Sequence, residues 1–168
     1  MQRRTLNPTE TMPACHVDKN HKIHRHGTYE RNGDCNDKNP LILIIMRFLC
    51  VICGHTISLL PDDYLPYRAV PVRLVEKHFD AKANGTAEPT ATEKEKGCLK
   101  RAWTRFSGRI DALLAVLGQM IRSVKPSATE FWSQLRRQGN LKAILFLLGD
   151  SFKTSLLGDY LCVKPWRP

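Results

Sequence analysis

The chain has few acidic residues and no long apolar segment. Sixteen Asp and Glu stand against 26 Lys and Arg in 168 residues, which gives a formal net charge of +10. Such a basic balance favours a polyanionic partner, with nucleic acid ahead of an anionic membrane surface. The longest apolar run, residues 41–52, contains Arg47 and is too short to span a bilayer. Polar residues follow Met1–Arg4 where a secretory signal would be apolar, so we expect a cytoplasmic protein.

The motifs of common enzyme classes are also missing. Neither nucleophile-elbow nor phosphate-loop spacing occurs, and no Ser/His/Asp arrangement can be argued from the sequence. Four acids of the C-terminal half could form a carboxylate set for strand transfer: Asp111, Glu130, Asp150 and Asp159. That chemistry is usually built on a β-rich scaffold, whereas this half has helical patterning. We therefore expect a non-enzymatic protein.

A pair of cysteines, Cys50 and Cys53, is the most informative feature present. The pair lies on a turn closed by Gly54 and is flanked by apolar segments. Two thiolates at this spacing can bind one metal ion from the same side. In a reducing cytoplasm such a pair favours metal over a disulfide. A structural zinc ion needs four ligands in a tetrahedron, so a second ligand pair is required.

The upstream segment Met12-Pro-Ala-Cys15-His16 has the shape of a second knuckle, but methionine occupies the place of its first cysteine. An uncharged thioether is a poor zinc ligand, so the fourth donor must be a histidine or a water. We predict a zinc site formed by Cys15, Cys50, Cys53 and His16. The other histidines near these cysteines are His21, His24, His26 and His55. The alternative is a decayed ribbon that folds, or fails to fold, without metal.

The N-terminal patterning predicts three β-strands, over residues 23–31, 41–49 and 56–60. Turn residues between Asn32 and Pro40 separate the first two strands. The order is knuckle, strand, hairpin, strand, knuckle, strand, which is the order of a zinc ribbon. We therefore predict a zinc-ribbon-like domain over residues 1–66, with residues 1–11 as a flexible lead-in.

The rest of the chain has helical patterning, so the predicted fold class is α+β. We expect a helix over residues 70–79, a linker over 81–92, and a long amphipathic stretch over 99–124 that breaks near Gly108. Thr90–Glu93 and Ser127–Glu130 have capping-box spacing, and a short apolar helix is predicted over 141–148. These features indicate a helical, helix-turn-helix-like region over 67–126 and a C-terminal helical segment over 127–168.

A basic surface is predicted between Lys94 and Arg109. This stretch holds six basic residues and one acid, Glu95. At about 100° per residue, the basic side chains fall mainly opposite the apolar stripe of Leu99, Trp103 and Phe106. We predict that nucleic-acid phosphates contact these residues: Lys94, Lys100, Arg101, Arg105 and Arg109. The alternative is the solvated face of an ordinary helix.

Several sequence motifs occur together in one order along residues 12–79. These motifs are Cys15, His26-Gly-Thr-Tyr29-Glu-Arg31, Arg47-Phe-Leu-Cys50-Val-Ile-Cys53-Gly-His-Thr56, Ser58-Leu-Leu-Pro61 and Tyr64-Leu-Pro-Tyr67. In them the chain resembles the small bacterial zinc-ribbon proteins of unknown function that are related to the N-terminal regions of insertion-sequence transposases. The resemblance implies metal ligands at Cys15, Cys50 and Cys53, with Met12 at the fourth position. Residues 98–106 loosely resemble the basic last helix of that family's helix-turn-helix region.

Charge, motifs and resemblance together predict a DNA-binding protein in a transposon-associated or regulatory setting. The alternative is a protein-interaction module, or a transposase remnant without DNA-cleavage activity, whose helices pair with a transposase or another protein. Salt separates the two, because DNA binding weakens steeply as salt rises and an apolar helix interface does not.

Overall fold

A computed structural model describes residues 2–5 (backbone only), 12–15, 17–33, 41–61, 63–65, 70–118, 120–121 and 125–158. Its fold is α+β, as the sequence predicts, with a β-sheet followed by helices. The sheet contains β1 (Gln2–Thr5), β2 (Ile23–Asn32), β3 (Leu41–Cys50) and β4 (Thr56–Leu59).

The three predicted strands are present as β2, β3 and β4, and they form an antiparallel arrangement around β3. β2 pairs along one edge of β3 over its whole length. The other edge is shared, because β1 pairs in parallel with Leu41–Ile44 and β4 pairs with Met46–Leu49. The expectation of a flexible lead-in is wrong for Gln2–Thr5, since backbone pairing with β3 holds this polar segment in the sheet.

β3 is apolar on both faces because both faces are covered. Leu43 and Ile45 pack with Tyr64, whereas Met46 and Phe48 point to the opposite face and pack among other apolar side chains that include Leu59. Burial on both sides explains a nearly continuous apolar run where a strand with one wet face would alternate. β2 differs sharply, because all but its first and ninth residues are exposed.

In the described part of the chain, five α-helices follow the sheet: α1 (Val72–Asn84), α2 (Glu93–Ser107), α3 (Ile110–Leu117), α4 (Ala128–Arg136) and α5 (Leu141–Phe146), which continues in a π-helical turn at Leu147–Ser151. The predicted break near Gly108 separates α2 from α3. The Ser127–Glu130 capping box is confirmed at the start of α4. The predicted Thr90–Glu93 box is wrong by two residues, because Thr92 and Glu95 form the reciprocal bonds that begin α2.

The helices enclose one apolar core in which aromatic rings are central. Phe79 of α1 meets Trp132 of α4 edge-on at 5.0 Å and Trp103 of α2 edge-on at 4.9 Å. Trp132 is fully buried, whereas Trp103 is half-buried. The sheet packs separately from this core, and the two meet at adjacent residues, since Tyr64 packs on the sheet and Leu65 belongs to the helical core.

A helix-turn-helix is not confirmed among the described residues. That motif joins its two helices by a turn of three or four residues. Here residues 85–92, which connect α1 to α2, contain no helix, and α1 extends to Asn84 into the segment predicted as linker. Within the part of the chain that is described, no helix combines the length and apolarity needed to cross a membrane.

Candidate metal centre

Four potential ligands converge at one end of the sheet. The donor atoms of Cys15, His21, Cys50 and Cys53 all lie within 4.8 Å of one another. The Sγ atoms of Cys15 and Cys53 are 3.5 Å apart, and Nδ1 of His21 is 3.7 Å from Sγ of Cys50. Cys15 and Cys50 are buried, whereas His21 and Cys53 are half-buried. The cluster therefore joins the segment before β2 to the turn after β3.

The second ligand pair is positioned by a tight turn at the end of β3. The Gly54 N–H donates to the Cys50 carbonyl at 2.9 Å, and the Cys50 N–H donates to the His55 carbonyl at 3.0 Å. Gly54 has φ of 70°, a left-handed conformation that glycine adopts without steric cost. This turn directs both cysteine side chains of the pair to the same side.

The first ligand pair is positioned by a turn centred on Asp18. The Asn20 N–H donates to the Asp18 carboxylate at 2.9 Å, and the His21 N–H donates to the Asp18 carbonyl at 3.0 Å. This turn reverses the chain between Cys15 and His21. The Val51 N–H donates to the Lys22 carbonyl at 3.2 Å, which brings the residue after His21 against the second pair.

Backbone amides and neighbouring sulfurs set the thiol pKa values. The backbone N–H of Asp18, assisted by that of Val17, lowers the pKa of Cys15. Burial opposes ionisation of Cys50, but hydrogen bonds from the N–H groups and side chains around it outweigh burial and lower its pKa.

The pKa of the Cys53 thiol shifts in the opposite direction. The His55 N–H favours its thiolate, but burial together with the adjacent Cys50 and Cys15 sulfurs outweighs that bond and raises the pKa of Cys53. Three thiolates this close repel one another. A bound cation would remove that repulsion.

The donor set fits a tetrahedral metal ion. Metal–sulfur bonds of about 2.3 Å and metal–nitrogen bonds of about 2.0 Å give sulfur–sulfur edges of roughly 3.8 Å and sulfur–nitrogen edges of roughly 3.5 Å in a tetrahedron. Two of the six donor–donor separations, 3.5 Å and 3.7 Å, are close to these values, and all six lie within 4.8 Å. Thiolate and imidazole donors suit a soft or borderline transition metal rather than calcium or magnesium.

Three of the four predicted ligands come together: Cys15, Cys50 and Cys53. His16 lies outside the described residues, and His21 occupies the fourth position among those that are described. Met12 is 55% exposed. The remaining candidates, His24, His26 and His55, are also exposed. In the sequence His21 is one of several histidines near the cysteines. Only the turn at Asp18, which brings it to the cluster, distinguishes it from the others.

The predicted basic surface lies largely on α2. Lys94, Lys100, Arg101 and Arg105 are exposed there, while the opposite side of the helix buries Leu99, Ala102 and Phe106.

Arg109 differs from the other four residues of that set. It is half-buried beyond the end of α2, and its guanidinium donates to the Ser155 carbonyl at 3.2 Å and the Thr154 hydroxyl at 3.4 Å. Its hydrogen bonds tie the segment after the π-helical turn to the α2–α3 junction.

No family model, curated protein or solved structure matches this chain.

Proposed function

We propose that the four-donor cluster is a structural zinc site. Three cysteines and one histidine supply four donors, which completes a tetrahedron without an open position for a substrate. A catalytic site would keep such a position. In small metal-binding units the binding free energy contributes directly to folding, so zinc would hold the β2–β3 hairpin and the turn after β3 in one arrangement.

We further propose that the protein binds DNA through the exposed side of α2. The observation that carries this proposal is the distribution of charge along the helix. Glu93 pairs with Lys96 at 2.7 Å, and Glu95 accepts the capping hydrogen bond from the Thr92 N–H. From Lys96 to Ser107 the helix contains no acid. Lys100, Arg101 and Arg105 therefore present positive charge along about two turns, where a phosphate backbone would be attracted.

The resemblance to zinc-ribbon proteins related to transposase N-terminal regions suggests the setting. A non-enzymatic protein with a rigid metal-bound ribbon and a basic helix suits a transposon-associated or regulatory role. The resemblance supplies this part of the proposal by analogy alone.

The test compares two charge-matched triple variants in a duplex-DNA binding assay across a range of salt. Lys100→Ala/Arg101→Ala/Arg105→Ala removes three positive charges from α2. Arg73→Ala/Lys77→Ala/Lys82→Ala removes three exposed charges from α1. The slope of log K against log salt is negative, and each lost phosphate contact reduces its magnitude by about 0.9. The α2 variant is expected to bind more weakly with a shallower slope, while the α1 variant stays near the parent. Equal affinities for the parent and the α2 variant would refute the proposal.

A protein-interaction role is the second candidate, and exposed apolar side chains favour it. Val17, Val51 and Ile52 are 58%, 50% and 63% exposed, and each lies within two residues of a cysteine of the cluster. Exposed apolar groups in one region are typical of protein contacts. Binding that persists at high salt would favour this candidate over DNA binding.

A further inference from the structure

The outer strand β2 and the central strand β3 carry an aromatic–cation pair on an exposed part of the sheet. The Arg47 guanidinium lies over the Tyr29 ring, 6.0 Å from the ring centroid. Tyr29 is 38% exposed, and Arg47 is half-buried. The pair is therefore accessible from solvent, unlike the fully buried rings of Phe79, Phe106 and Trp132 in the helical core.

The sheet register explains why these two side chains meet. Arg47 has Gly27 as its partner on β2 and Ser58 as its partner on β4. Both partners are small, so neither fills the space beside Arg47. Tyr29 is the diagonal neighbour on β2, within reach of a long side chain. The register shifts between Arg25 and Gly27, and Gly27 has φ of 114° with nothing within 4 Å of an added Cβ. The bulge thus leaves open backbone next to the ring.

Charge on this side of the sheet favours an anionic ligand. Within β2, β3 and β4 the only acid is Glu30. Its partner on β3 is Ile44, whereas Tyr29 pairs with Ile45, so Glu30 points to the opposite face. His24, which is exposed, pairs with Leu49 and lies on the same side as Arg47.

We propose that Tyr29 and Arg47 form a stacking site for an unpaired base of single-stranded nucleic acid. The inference rests on the proposed nucleic-acid binding, and it adds a second surface and a ligand class. An exposed ring beside a guanidinium supplies a π-face for the base and a positive charge for its phosphate, which is how sequence-tolerant single-strand binding is commonly built. Duplex DNA keeps its base faces stacked internally, so duplex binding would not use this site.

The test measures binding of labelled oligothymidylate and of its duplex with oligoadenylate to the full chain. Tyr29→Ala removes the ring, Tyr29→Phe keeps it, and Thr28→Ala alters an exposed neighbour on the opposite face. Loss of one stacked base weakens binding roughly 5- to 150-fold. We expect Tyr29→Ala to lose this much affinity for the single strand and to bind the duplex as the parent does. Tyr29→Phe and Thr28→Ala are expected to stay within about twofold of the parent, since both keep the stacking face.

The outcomes separate this inference from the proposed function. The inference is overturned if Tyr29→Ala binds the single strand as tightly as the parent does. It is also overturned if the parent binds duplex but no single strand. In either case α2-dependent duplex binding would still stand. A parent that binds neither overturns both. Oligouridylate in a parallel assay distinguishes RNA from DNA as the preferred strand, and dependence on Tyr29 with either strand supports the site. Unchanged metal content and circular dichroism show that each variant is folded.

Discussion

The Nδ1 atom of His21 lies 3.7 Å from the Sγ atom of Cys50, although the two residues are 29 positions apart in the chain. The antiparallel pairing of Ile23 with Cys50 produces this proximity, because it brings the start of β2 to the end of β3. The geometry of the candidate metal centre thus depends on sheet register. A slip of one residue would turn the ligands to the wrong face.

Removal of metal is expected to unfold the sheet region while the helical core persists. The two regions bury separate apolar clusters, and the cysteine–histidine cluster belongs only to the first. Excess chelator should therefore abolish a metal-dependent unfolding transition and leave the helical signal in circular dichroism largely intact. Cys53→Ala should mimic the chelator. Cys98→Ala, which alters a half-buried cysteine of α2 outside the cluster, is the control and should keep the metal-dependent transition.

An unchanged melting profile after chelation, with the metal shown to be gone, would mean that the sheet region does not depend on the site. It would also favour the decayed-ribbon alternative for this part of the chain.

Asp80 is expected to be a major polar contributor to the stability of the helical core. Its carboxylate accepts hydrogen bonds from Trp132 Nε1 at 2.8 Å and from Arg136 Nε at 2.9 Å. Asp80→Ala would leave the buried Trp132 N–H without its acceptor, at a cost of about 1–3 kcal/mol. Chemical denaturation measures this loss. Asp80→Asn, which keeps an acceptor oxygen, should lower the free energy of unfolding by less. Asp111→Ala, at an exposed position of α3, should lower it only slightly. Equal stability of Asp80→Ala and Asp111→Ala would contradict this role.

Local patterns predicted much of the fold because the relevant forces act over short stretches. The apolar run 41–49 and its flanking turn residues located β3 to within one residue. Capping-box spacing identified the start of α4 but not that of α2. Thr90–Glu93 and Thr92–Glu95 both satisfy the spacing, and in the folded helix it is the buried Glu95 that forms the reciprocal bonds with Thr92.

Long-range pairing set the features that the sequence did not predict. The sequence pattern of Gln2–Thr5 does not predict a strand. This segment becomes one by pairing with β3, some forty residues away in the chain. The hydrogen bonds of Arg109 could not be predicted from the sequence either, because its partners Thr154 and Ser155 come near it only when the helices pack. In the candidate metal centre, spacing identified the cysteines, whereas the position of His21 in the cluster depends on a turn that spacing does not specify.

His78 is expected to make stability depend on pH. It is 2% exposed on α1, and burial lowers its pKa despite the Glu88 carboxylate 3.3 Å from Nδ1, while nearby Lys82 acts in the same direction as burial. The unfolded chain binds a proton near pH 6.5, whereas the native state binds one only at lower pH. The contribution of the buried, neutral His78 to folding stability is therefore fully present above about pH 6.5. It falls as pH decreases toward the pKa of His78 in the native state.

Comparison of the parent with His78→Leu isolates this effect, because the two proteins differ in no other residue. The difference in melting temperature between the two should change between pH 7 and pH 5, with the parent losing more. A difference that stays constant over this range would show that His78 does not cause the dependence.

The most direct measurement is the zinc affinity of the parent, His21→Ala and His24→Ala, determined by competition with a chelator of known affinity. His24 is an exposed histidine three residues from His21 and outside the cluster, so it controls for loss of an imidazole from the same segment. If His21 is the fourth ligand, its replacement should weaken zinc binding by more than about tenfold, beyond the lower end of effects seen for residues that only support a ligand. His24→Ala should bind as the parent does. Equal affinity in all three proteins, or no zinc binding by the parent, would contradict the four-ligand site.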